Sequence, residues 1–134
     1  MVEASGIQRR GRAIKTYRDL EAWQLAMELV EQVYRLCSEL PSNERYGLAS
    51  QMQRAAVSIP ANIAEGYGRG HRREYARFLS IARGSLAELE THTTLAVRLG
   101  LVSRNAGVQL WELAQRVGQV LNALLRALRR EARD

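Results

Sequence analysis

Breakers are scarce in this sequence. Its 134 residues contain two prolines, Pro41 and Pro60, and one cysteine, Cys37. No stretch alternates apolar and polar residues as a half-buried strand would. No apolar run approaches the roughly 18 residues that span a bilayer, and charges interrupt every candidate. The arginines near the N-terminus lack an apolar segment behind them, so no secretory signal is expected there. Cys37 falls within a helical apolar pattern and reads as a small buried hydrophobe, so a cytoplasmic location is the default expectation. Two histidines, His71 and His92, sit 21 residues apart on one helical segment. No Cys/His/acid cluster has metal-ligand spacing, so they read as surface residues and no metal or cofactor is expected. Gly66-x-Gly68-x-Gly70 lacks the preceding strand and the spacing of a dinucleotide loop.

What is present is one domain, with 46% hydrophobic residues and enough length to bury a core. Helical periodicity fills it. Asp19 is a candidate N-cap for a first helix ending near Leu40, before Pro41. Its apolar residues form two stripes, Leu20, Trp23, Met27, Val30, Tyr34 and Cys37 beside Leu25, Leu29, Val33, Leu36 and Leu40. Together they cover about 200° of surface, more than the single stripe a bundle helix needs, which points to a second contact surface. Ser42 or Asn43 would cap a second helix ending near Glu65. A glycine turn carrying Arg69 follows, then a third helix from His71 to Leu99, ended by Gly100. Ser103 opens a fourth, with Leu110, Leu113, Val117, Leu121, Leu124 and Leu128 as its seam. Short connections predict an all-α, antiparallel up-down-up-down four-helix bundle. The expected division is a flexible basic arm over 1–16, the bundle over 17–130 and a tail over 131–134.

The second helix is unusual. At 100° per residue, Arg54, Ser58, Asn62 and Glu65 fall with Gln51 within roughly 80° of one another. Leu48, Met52, Ala55, Ile59 and Ile63 occupy one neighbouring face. Gln53, Val57, Pro60, Ala61 and Ala64 make the other, with no charge on it. A charged line between two uncharged faces reads as a half-buried hydrogen-bonded seam, with Ser85 and Glu88 of the third helix as partners. Arg54 and Asn62 would serve Glu65 and Glu88, which makes a structural pairing a better reading than a catalytic carboxylate pair. Pro60 costs about 3 kcal/mol relative to alanine inside a helix, which tertiary packing must offset.

Charge is uneven. The net charge is +6, and 19 of the 20 basic residues are arginine. Residues 1–18 hold five basic groups and one acid; residues 19–65 hold three and seven; residues 66–134 hold twelve and six. Such polarisation lets the basic parts meet phosphate, or an acidic surface on another protein. Arg69, Arg72, Arg73, Arg77 and Arg83 cluster from the glycine turn into the third helix, near Tyr67 and Tyr75. Guanidinium groups there suit bidentate phosphate contacts, with aromatic rings available for stacking on bases. They also oppose the dipole at a helix N-terminus, which invites a partner. A second group, Arg126, Arg129, Arg130 and Arg133, ends the fourth helix, where complementing the dipole is explanation enough.

Several segments resemble a known family. Tyr17-Arg-Asp-Leu-Glu-Ala-Trp23, Leu40-Pro-Ser-Asn-Glu-Arg-Tyr-Gly-Leu48, Gln51-Met-Gln-Arg-Ala-Ala-Val-Ser-Ile-Pro-Ala-Asn-Ile-Ala-Glu-Gly66 and Glu74-Tyr-Ala-Arg-Phe-Leu-Ser-Ile-Ala-Arg-Gly-Ser-Leu-Ala-Glu-Leu-Glu90 are similar to those of the four-helix bundle proteins named for an intervening sequence in 23S rRNA genes. The resemblance covers roughly residues 17 to 125. It implies a ring-shaped homopentamer without enzymatic activity or cofactor. A related branch, the accessory proteins of diversity-generating retroelements, implies binding to nucleic acid and to a reverse transcriptase. The family's name refers to gene location and does not by itself imply rRNA binding. A protein-interaction adaptor without nucleic-acid binding is the alternative function that the charge pattern leaves open.

Overall fold

The computed structural model describes residues 13–133, with side chains described through Glu131. The arm's Arg9, Arg10 and Arg12 lie outside the described residues, as does the side chain of Arg133. Four α-helices make the bundle: α1 (Glu21–Cys37), α2 (Leu48–Gly68), α3 (Arg72–Arg98) and α4 (Arg104–Arg133). Thus α4 runs on through residues 131–133, which were expected as a tail. Each helix packs on its chain neighbours and α4 closes back on α1, leaving α2 diagonal to α4. Leu20, Leu29, Val33, Met52, Ile59, Ile63, Leu79, Leu89, Leu110, Val117 and Leu121 are almost fully enclosed in the central core. Cys37 is buried there too, and that burial pushes its thiol up to about 11.

Helix starts differ from the expectation in an instructive way. Asp19 does not cap α1. Its carboxylate accepts the backbone N–H groups of Lys15 and Thr16, at 2.8 and 3.0 Å, closing a 3-10 turn over Tyr17–Asp19. Leu20 then stands at the α1 N-cap without a side-chain cap. Ser42 and Asn43 likewise belong to a 3-10 turn, Ser42–Glu44, and Glu44 Oε1 accepts the Leu48 N–H at 3.2 Å where α2 begins. The first turn exists because the short polar side chains of Thr16 and Asp19 compete with the helix for backbone groups. Ser103, in contrast, caps α4 as expected, accepting the Ala106 N–H at 3.1 Å.

The packing of α2 on α3 is very close. A methyl group added at Gly66 would lie 2.7 Å from Phe78 Cβ and 3.3 Å from the Tyr75 carbonyl oxygen. Both obstacles belong to backbone or near-backbone atoms of α3 and cannot swing away. Pro60 is buried in the same helix, so its ring adds apolar burial where it forfeits a backbone bond. Gly66→Ala should therefore lower the melting temperature, because overpacking of about 1–3 kcal/mol exceeds the roughly 1 kcal/mol that alanine gains in helix propensity. Thermal denaturation measures it, and a raised midpoint would contradict the close approach.

Helices α3 and α4 are registered by polar bridges. Gln115 Nε2 donates to Glu90 Oε2 at 2.8 Å, and Arg83 donates to Asn122 Oδ1 at 3.0 Å. Burial raises the Glu90 carboxyl above its ordinary value, and the Gln115 hydrogen bond offsets this in part. A carboxyl raised on folding favours the native state when protonated. Its contribution is fully present below the unfolded value and is lost as pH climbs through the folded one. Glu90→Gln should accordingly raise the melting temperature at neutral pH, with the difference from wild type shrinking on acidification through the carboxylate range. A pH-independent difference would rule out this origin.

Candidate nucleic-acid interface

Antiparallel packing puts the start of α1, the end of α2, the start of α3 and the end of α4 at one pole of the bundle. The turn between α2 and α3 is short, with Gly70 at φ +64°, a left-handed conformation that suits glycine. Four of the five arginines singled out in the sequence, Arg69, Arg72, Arg73 and Arg77, stand at or just after this turn. Arg69 and Arg77 flank the Phe78 ring, their guanidinium carbons 5.1 and 4.5 Å from its centroid. Each also holds a carboxylate on its own chain segment: Arg69 pairs with Glu65 at 2.9 Å and Arg77 with Glu74 at 3.1 Å. The Arg77 guanidinium holds Glu74 below the ordinary carboxylate range. These surface pairs contribute little to stability, yet they neutralise the two arginines locally.

Arg72 and Arg73 are exposed, and no carboxylate among the described residues lies within ion-pair distance of either. Arg83 stands apart from the turn, three helical turns along α3, bridged to Asn122. Thus the cluster resolves into a neutralised pair, an open pair and one residue directed at α4. Tyr67 and Tyr75 stack edge to face, 5.8 Å between centroids. Tyr75 is 1% exposed and its hydroxyl is enclosed without a hydrogen bond, so its ring is part of the core and closed to base stacking. The pole offers another aromatic group that the sequence pattern did not flag: Arg18 lies 5.6 Å from both the Tyr17 and Trp23 ring centroids.

The polar line of α2 also divides. Asn62 Nδ2 donates to the Ser58 carbonyl at 2.7 Å and to Ser58 Oγ at 2.9 Å, and Ser58 Oγ shares a hydrogen bond with Ser85 Oγ at 2.8 Å. Those three residues join α2 to α3, half-buried, and no α1 residue takes part. Arg54 is exposed instead of half-buried. Glu65 turns to Arg69, and neither Arg54 nor Asn62 serves it. Glu88 is exposed beside His92, with 3.7 Å between Oε2 and Nε2. His92 itself is half-buried with both ring nitrogens enclosed and without hydrogen bonds, which departs from the surface reading. Glu65 and Glu88 thus engage partners on their own sides and form no carboxylate pair. Asn62→Leu should cost about 1–3 kcal/mol, because Ser58 loses its amide donor in a half-buried setting. Calorimetry checks this, and an unaltered midpoint would count against any structural role for the cluster.

Among the described residues, no group of three or more His, Cys, Asp or Glu side chains could hold a metal ion. No helix of that part is long and apolar enough to cross a membrane. No curated protein matches the chain. Among solved structures it resembles a protein of unknown function from the S23 ribosomal protein family of Bacteroides thetaiotaomicron. That likeness has a TM-score of 0.72 at 22% identity, covers 78% of this chain and 97% of the other, and supports the fold alone. The model of the 23S rRNA-intervening sequence protein family matches residues 18–123. It takes in all of α1 to α3 and most of α4, including the Ser58–Asn62–Ser85 cluster and the arginines from Arg69 to Arg83, and the chain therefore belongs to the 23S rRNA-intervening sequence protein family.

Proposed function

We propose that this protein is a non-catalytic helical scaffold that assembles as a homopentamer and binds RNA or DNA by phosphate contacts at its basic pole. The observation that carries the reading is the state of Arg72 and Arg73, exposed and without a carboxylate partner among the described residues. Arginines in the first turn of a helix oppose its dipole, and a bound phosphate removes that penalty. Arg69 and Arg77 stand one step behind, able to exchange Glu65 and Glu74 for phosphate oxygens. For assembly, the support is the uncharged strip of α2, where Val57 is exposed, together with exposed Met27 and Tyr34 on α1. Against catalysis stands the separation of Glu65 from Glu88. A cytoplasmic location, and an accessory role beside a reverse transcriptase of a diversity-generating retroelement, extend the proposal along the lines of the resemblance.

The competing reading is a protein-interaction adaptor. Exposed Leu99, Trp111 and Tyr46 favour it, since large apolar side chains in solvent suit a protein partner. Pull-down from nuclease-treated lysate separates the two, because a protein partner survives nuclease and a nucleic-acid bridge does not.

Fluorescence anisotropy with a labelled RNA hairpin and its DNA counterpart tests the main reading. Binding should weaken steeply between low and moderate salt, as counterion release requires. Arg72→Glu/Arg73→Glu should abolish most of it while leaving the fold intact, since acidic residues suit a helix N-terminus. Native mass spectrometry should give the mass of five chains. No binding at low salt would sink the nucleic-acid reading, and a monomer mass would sink the scaffold.

A further inference from the structure

The helix dipole accounts for arginines at the end of α4, and sequence places Arg83 in one run with the arginines of the α2–α3 turn. The structure rearranges both. Arg83 donates to Asn122 across the α3–α4 groove. Arg72 lies 11 residues earlier on α3, three turns away and within roughly 20° of the same line. On α4, Arg126 and Arg129 follow Asn122 by four and seven residues, a spacing that keeps all three on one side of the helix. Four contacts set the register between the helices: Arg83 with Asn122, Glu90 with Gln115, Leu86 against Gly118 and Val97 against Gly107. Carried toward the pole, that register sets Arg126 level with Leu79 and Arg129 level with Ala76, between Arg83 and Arg72.

We infer that Arg72, Arg83, Arg126 and Arg129 form one phosphodiester-binding groove between α3 and α4, an inference that rests on the nucleic-acid reading above. Between Arg72 and Arg83, and at the matching level of α4, the described residues include two carboxylates, Glu74 and Glu131, and neither faces the groove. Glu74 faces the α2 side, held by Arg77. Glu131 is about 200° around α4 from Arg129, toward the Tyr75 hydroxyl, whose pKa is raised chiefly by burial, with Tyr67 and then Glu131 adding to it. Arg83 has a neutral amide as its partner and keeps its full charge.

Arg72 and Arg83 are ~16 Å apart along the helix axis, a length that passes on the order of five phosphates of one strand. Large exposed apolar side chains are found elsewhere: Met27, Tyr34 and Val57 on the α1 and α2 side, Ile81, Leu95 and Leu99 along other parts of α3, Val108 and Trp111 near the start of α4. None stands on the groove between Arg72 and Arg83. A peptide would find charge there but no apolar anchor, whereas a nucleic-acid backbone needs charge alone. Binding in the groove is accordingly indifferent to base sequence.

Arg126→Gln/Arg129→Gln, measured against wild type with the labelled RNA hairpin over a salt series, is the test. The control is Arg98→Gln/Arg104→Gln, which removes the same charge at the opposite pole. The groove variant should bind at least tenfold more weakly and reduce the slope of log Kd against log salt by about 2. The control should keep the wild-type slope, and circular dichroism should show both variants fully helical. Wild-type binding with an unchanged groove variant overturns the groove and leaves the Arg72/Arg73 reading standing. Equal losses in both variants overturn it in favour of diffuse net charge. No wild-type binding at low salt overturns both proposals. Polyglutamate displacing the hairpin at matched charge concentration overturns the groove as a nucleic-acid site and assigns it to an acidic protein.

Discussion

The closeness of α2 and α3 at Gly66 is the constraint on which the basic pole depends. With no side chain at Gly66, the α2 backbone rests directly on Phe78 and Tyr75. That contact leaves only a short turn to reverse the chain, and the turn needs Gly70 in the left-handed region. Because the turn is short, the first residues of α3 are held beside the end of α2. Arg69 and Arg77 then both reach the Phe78 ring, and Arg72 and Arg73 are left exposed. A side chain at residue 66 would meet Phe78 Cβ at 2.7 Å, so the first turns of α3 would have to shift against α2. A backbone contact thus governs an electrostatic surface.

The pole's charge belongs to side chains. Two helix N-termini and two C-termini meet there, so the four macrodipoles largely cancel. What remains is a surplus of arginines over the carboxylates of Glu65, Glu74 and Glu131, drawn from sequence positions that are far apart: Arg18 before α1, Arg69 to Arg77 around the turn, and Arg126 to Arg130 at the end of α4. Antiparallel topology gathers them. The same topology sends Arg98 and Arg104 to the other pole, near Arg35, Glu39 and Glu44, where both signs mix. Net charge alone could not show this asymmetry between the two ends.

The four helices were legible because apolar spacing is a direct readout of which face each helix buries, and α3 and α4 begin within a residue of where their caps and glycines place them. The starts of α1 and α2 were not, since Asp19, Ser42 and Asn43 serve 3-10 turns whose backbone bonds depend on φ and ψ that no pattern displays. The polar line of α2 was legible as a geometry and misleading as a network. Being within 80° on a wheel says nothing of reach: Asn62 and Ser58 are one turn apart and bond each other, whereas Glu65 has Arg69 one turn ahead. For the arginines, clustering in sequence hid the division between Arg69 and Arg77, which lie against Phe78, and Arg83, which bonds Asn122 of α4. A signal did exist, because Arg72 and Arg83 share a line at 11-residue spacing. Recognising its meaning required knowing which helix lies opposite.

The two surfaces of this bundle do not compete. The uncharged strip of α2, with Val57 and Ala61, faces out beside α1, whose surplus apolar residues Met27 and Tyr34 are exposed. The α3–α4 groove belongs to the opposite side, because α2 is diagonal to α4. Copies meeting through the α2 strip would leave each groove in solvent. The separation also assigns different physics to each. Uncharged, small-residue surface loses little on desolvation and suits a permanent contact between chains. Exposed guanidinium groups keep their hydration until a phosphate replaces it, which suits a contact that salt can reverse. One sequence can then carry both because the groove's arginines lie on α3 and α4, away from the alanines and valine of the strip, which Arg54 borders from the polar line.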